Sequence, residues 1–95
     1  MTDVGAHDRM VAPSGVHARR FDDEIVILDL EGGDYYSLDA VGAEVWEALA
    51  RGETPAQAAR VLVDRYRVEY ERAVNDCVIL ANELCMRGLL RRGAA

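Results

Sequence analysis

Lysine is absent from this 95-residue sequence, so all 11 basic residues are arginine, and they face 17 acids for a net charge of −6. A chain of that sign repels a phosphate backbone, and no nucleic-acid partner is expected. With the frequent Ala, Val and Gly, the choice of arginine suggests a GC-rich bacterial genome. No apolar run reaches the roughly 18–20 residues that a membrane span needs. Residues 1–8 carry acids and no apolar core, contrary to a secretory signal. The expected compartment is the cytoplasm, without a membrane anchor.

Histidine and cysteine are just as scarce. His7 and His17 have no partner at a fixed spacing, and neither a Cys-x-x-Cys nor a Cys–His pair supports a metal site. Cys77 and Cys85 lie eight residues apart in one expected helix. That is about 12 Å of rise, too far for a disulfide, so both are expected as buried free thiols. No nucleophile elbow, phosphate loop or dinucleotide fingerprint occurs. The expectation is a chain with no catalytic residues, no metal, no cofactor and no enzymatic activity.

What is present is one domain's worth of residues, 51% hydrophobic and 29% charged, the balance of a globular protein. Residues 1–15 read as a flexible arm ending in Ala12-Pro13-Ser14-Gly15. A first strand spans 16–21, Asp22-Asp23 turns the chain, and the β-branched run 24–30 forms the central strand. Glu31-Gly32-Gly33-Asp34 is a hairpin signal, and 35–38 is a third strand left at the sheet edge.

The period then becomes helical. Asp39 caps a helix with Val41, Val45, Trp46 and Leu49 on one face. Thr54-Pro55-Ala56-Gln57 starts a second, running to about 66 and burying Ala58, Ala59, Leu62 and Val63. A third covers about 71–87, with Gly88 as its stop and Leu89-Leu90 tucked under the core. Residues 91–95 are expected as a disordered tail. The fold class is α+β: a winged-helix-like domain over 16–90, with a three-stranded antiparallel sheet followed by three helices.

On the third helix, Val74, Cys77, Val78, Ala81, Leu84 and Cys85 form the core stripe. Asp76, Leu80, Glu83 and Arg87 border it, while Ile79 and Met86 fall outside. An edge strand beside such a helix suits β-augmentation, in which a peptide adds as a further strand. Four or five backbone hydrogen bonds at ~1 kcal/mol give about 4–5 kcal/mol. Micromolar affinity takes about 8 kcal/mol, so side-chain pockets must contribute. A DNA-binding regulator is the rival from another class. Its recognition helix would need exposed basic groups. On the third helix, Glu71, Asp76 and Glu83 outweigh Arg72 and Arg87. The second has Arg60, Arg65 and Arg67 against Asp64, which is also what an ordinary solvated face looks like.

The ordered set Ile27-Leu28-Asp29-Leu30-Glu31-Gly32-Gly33-Asp34-Tyr35-Tyr36-Ser37-Leu38-Asp39, then Val41-Gly42-Ala43-Glu44-Val45-Trp46, resembles the PqqD-like family. These are the precursor-peptide recognition elements of ribosomal natural-product pathways. Gly52-Glu53-Thr54-Pro55, Arg65-Tyr66-Arg67-Val68, Asp76 with Val78, and Leu84 through Leu90 extend the resemblance over about 16–90. Asp39 stands where the family usually has Asn, and the Arg-Tyr-Glu-type N-terminal stretch of PqqD itself is missing. The Gly-Glu-Thr-Pro start and Arg-Gly-Leu-Leu ending look more like the discrete leader-binding proteins of lasso-peptide biosynthesis.

The resemblance implies a chain that binds the leader of a precursor peptide as a strand on Tyr35, Tyr36, Ser37 and Leu38. Asp76, Ile79, Leu80 and Glu83 would form the helical wall, where acids meet basic leader residues. The implied second partner is a separate leader peptidase of the cysteine-protease type. A PqqD-type chaperone presenting a precursor to a radical enzyme in quinone-cofactor synthesis is the alternative within the family.

Overall fold

The computed structural model describes residues 3–93. Strand β1 (Met10–Val11) precedes a meander of β2 (Val16–Phe21), β3 (Glu24–Asp29) and β4 (Asp34–Leu38). Helices α1 (Ala40–Ala50), α2 (Pro55–Arg65) and α3 (Tyr70–Met86) follow, and β5 (Arg91–Arg92) closes the chain. The α+β order of three antiparallel strands and then three helices matches the sequence reading. None of these helices is long and apolar enough to cross a membrane.

The meander forms because β3 alternates. Ile25 and Ile27 are buried against the helices, whereas Leu28 is exposed on the other face. Asp22 takes φ 56°, a left-handed conformation that aspartate tolerates, and this lets two residues join the Phe21–Glu24 pair. Leu30 lies beyond the strand in the β3–β4 turn with its side chain exposed, while its N–H donates to the Gly15 carbonyl at 2.9 Å.

Helices α1 and α2 start where a side chain satisfies orphan amides, whereas α3 starts at Glu69 without a side-chain cap. Asp39 accepts from the Gly42 N–H at 2.9 Å, and Thr54 and Gln57 form a reciprocal capping box. Gly42 also sits where a β-carbon would meet the Leu38 side chain at 3.0 Å, so its bareness lets the end of β4 pack onto α1. Gly88 takes φ 76° and ends α3, after which Leu89 and Leu90 turn into the core as expected.

Val45, Trp46, Leu49, Ala58, Ala59, Leu62, Ala73, Cys77, Ala81 and Leu84 make the helical side of the core. Val41 belongs to the expected face of α1 but is exposed. Cys77 is buried and Cys85 half-buried, both as free thiols. Arg20 ties β2 to α1 through Glu47 at 2.8 Å, and Arg65 of α2 reaches Glu44 at 3.2 Å.

The structure differs from the sequence reading at both ends. The segment expected as a flexible arm is docked: Val4 and Met10 are buried, and β1 pairs antiparallel with β5 inside the expected tail. The Asn82 side chain grips both backbone groups of Val4, accepting from its N–H at 2.8 Å and donating to its carbonyl at 3.1 Å. Arg92 holds the Asp3 carbonyl at 2.6 Å and the Asp8 carboxylate at 2.7 Å. The remainder of both expectations, residues 1–2 and 94–95, lies outside the described residues.

Candidate functional site

The sheet order is β2-β3-β4, so among the described residues β4 has a strand on one side only. Its other edge faces α3 across a gap, with no Cα of one within 8 Å of a Cα of the other. The sheet reaches the helices chiefly through α1. This stand-off leaves the outward N–H and C=O groups of β4 available beside a helix, which is the geometry of strand addition.

Side chains span the gap at one point. The Tyr36 hydroxyl donates to Glu83, and the Arg87 guanidinium lies 4.5 Å from the centre of the Tyr36 ring. Arg87 also pairs with Glu83 at 3.5 Å, one helical turn away. The hydrogen bond to Glu83, with some burial, raises the Tyr36 phenol above its ordinary range, so Tyr36 is a neutral donor at physiological pH. The three residues act as a latch between β4 and α3. Beside it opens a cleft of about 350 Å³ lined by Asp34, Tyr35, Tyr36, Met86, Arg87 and Leu89.

The residues expected at the site divide by strand alternation. Tyr36 pairs with buried Ile27 and turns to the helix side, whereas Tyr35 pairs with exposed Leu28 and is 72% exposed on the outer face. Ser37 is exposed, while the Leu38 side chain is buried in the core, leaving its backbone at the edge. On α3, Glu83 joins the latch, and Ile79 stands 56% exposed. Leu80 is half-buried and packs on the core. Asp76 is exposed and lines neither the latch nor the cleft.

Arg87 and Met86 were not among the expected contacts. The Glu83–Arg87 spacing of four on one helix was the available signal for Arg87. For Met86 it was apolarity outside the core stripe, and the residue proves 87% exposed.

The family model for coenzyme PQQ synthesis protein D (PqqD) matches residues 24–90. A search of curated proteins finds no match. Among solved structures, TbiB1 in complex with the TbiA(beta) leader peptide is 29% identical with a TM-score of 0.80, covering 90% of this chain and 99% of that one. A lasso peptide synthetase B1 complexed with its leader peptide is 27% identical with a TM-score of 0.78, covering 86% and 96%.

Proposed function

This chain belongs to the PqqD family, and on that premise we propose that it captures the leader of a ribosomal precursor peptide as an added strand on β4. It then delivers the precursor to a separate leader peptidase in lasso-peptide biosynthesis. We assign recognition to residues 16–90 and read the chain as a binding protein rather than an enzyme. The observation that carries the reading is the free edge of β4 standing off from α3, with Ile79 and Met86 exposed along that helix. Two similar structures that hold leader peptides support it, and one of them is a lasso peptide synthetase B1, which favours the lasso pathway over quinone-cofactor synthesis.

The latch gives the groove its chemistry. Backbone pairing to β4 supplies register, and Ile79 with Met86 supplies apolar anchoring. Arg87, paired with Glu83 and set over the Tyr36 ring, gives the groove a polar border. A reducing compartment such as the cytoplasm suits the two free thiols.

The peptidase, which we take to be of the cysteine-protease type, needs a surface that the leader leaves free. The outer face of the sheet suits it. Leu28 pairs there with His17 and Tyr35, and Val26 with Arg19 and Ser37. Leu28 and Tyr35 are exposed on it, and Phe21 is exposed at the end of β2. A leader strand on β4 would widen this same face, making it continuous with the capture site.

Calorimetric titration with a synthetic leader, taken from the precursor encoded beside this chain's gene, tests capture. One-to-one binding at about micromolar or tighter is expected. Ile79→Asp replaces an exposed side chain, so it should leave the melting temperature near wild type and weaken binding about tenfold or more. No heat and no chemical-shift change with wild type would sink the reading.

A further inference from the structure

The docked N-terminal segment lies beside the groove at Asp3. A second cleft, about 620 Å³, shares Met86 and Arg87 with the first and is lined also by Asp3, Ile79, Asn82 and Glu83. Asp3 comes from the segment and the others from α3 or its C-cap, so the held segment supplies one side of this cleft. Several bonds hold it. Asn82 grips Val4, which is 5% exposed, and Arg92 takes the Asp3 carbonyl. Behind them the Ala6 carbonyl accepts from the Ala56 N–H at 2.9 Å, and the Gly93 N–H donates to the Arg9 carbonyl at 2.8 Å.

The cleft has one unbalanced charge. Glu83 is engaged by Tyr36 and Arg87, whereas the Asp3 carboxylate has no hydrogen bond or ion pair among the described residues. Ile79 and Met86 are its apolar surface. An apolar group next to a cation is the ligand that such a lining complements.

We propose that the N-terminal segment is a third wall of the leader site. An apolar leader side chain lies on Ile79 and Met86, and a nearby leader lysine or arginine pairs with the Asp3 carboxylate. The inference rests on the leader-capture reading and deepens it. The leader strand contacts β4 with one edge, α3 with its inward side chains and the Asp3 region with its flank. Asp3 is then a residue that selects leader charge, and Asn82, which also lines the cleft, positions it through Val4.

The test titrates wild type, Asp3→Asn, Asp3→Arg and Asn82→Ala with the synthetic leader of the neighbouring precursor, labelled for fluorescence anisotropy. A second set of leaders has each lysine or arginine replaced singly by glutamine. Asp3→Arg is expected to weaken wild-type leader binding about tenfold at moderate ionic strength, with the loss shrinking in high salt. Asp3→Asn should weaken it a few-fold, and one glutamine leader should lose the same factor with wild type but nothing further with Asp3→Asn. Asn82→Ala should reproduce part of the loss. If wild type binds the leader while both Asp3 variants bind equally well, the third wall is wrong and leader capture stands. A bound leader stretch without any lysine or arginine overturns it as well. Failure of wild type to bind any of these leaders overturns both readings together.

Discussion

Tyr35 and Tyr36 are adjacent and chemically identical, yet one faces open solvent and the other holds Glu83. Alternation along a strand is legible in sequence, so their opposite faces follow from period two. The identity of the partner does not, because Glu83 lies 47 residues away and no local pattern records that pairing. Leu38 and Leu80 show the same limit. Leu38 keeps its backbone at the strand edge while Gly42 makes room for its side chain in the core, and Leu80 is half-buried against that core. The cysteines give a test at this scale. Burial pushes the Cys77 thiol up to about 11, and burial likewise raises half-buried Cys85, which sits 3.6 Å from the Met10 sulfur. With a disulfide reagent at pH 8, Cys77 should stay unreacted in the native protein and Cys85 should react more slowly than free cysteine. Both should react at once in denaturant. Fast native labelling of Cys77 would show that the α3 core face is not packed as described.

Elements with their own local signals were legible: both caps, the hairpins and the glycine stop fell where the residues called for them. The N-terminal segment was not. Two-residue strands carry no periodicity, and β1 is made by pairing with β5 at the far end of the chain. Its docking also depends on Asp8, whose carboxylate accepts from the Gly5 N–H at 2.8 Å and from Arg92. The Gly5 hydrogen bond, helped by Arg92 and opposed by slight desolvation, holds this acid below its usual 3.8. The sign follows from linkage. A folded-state value below the unfolded one stabilises docking above pH 3.8, and that contribution disappears as pH falls through the lowered folded value. Amide exchange at Val4 and Gly5, followed by NMR, should therefore accelerate relative to the meander amides only on the acid side of 3.8. In Asp8→Ala that acid step should vanish, with faster exchange already at neutral pH. An unchanged acid step in the variant would remove Asp8 from this role.

The whole molecule is 17 Å across its thinnest axis, enough for one sheet and one layer of helices. Two layers leave the outer sheet face bare, and the strand that offers its edge to the leader also contributes Tyr35 to that face. On the proposed reading, capture and delivery would share β4 while using different surfaces, so they should be separable by mutation. Leu28→Asp alters only the outer face, where the side chain is already exposed. It should keep leader affinity within about twofold and reduce leader cleavage by the cognate peptidase about tenfold or more, because a charge would be buried at the contact. Ile79→Asp should do the reverse, losing leader affinity and recovering cleavage at saturating precursor. The pair of affinities and cleavage rates, measured up to saturating precursor for each variant, tests both surfaces in one experiment. Undiminished cleavage with Leu28→Asp would move the peptidase to another face. Loss of leader binding in that variant would mean that the two surfaces are coupled through β4 itself.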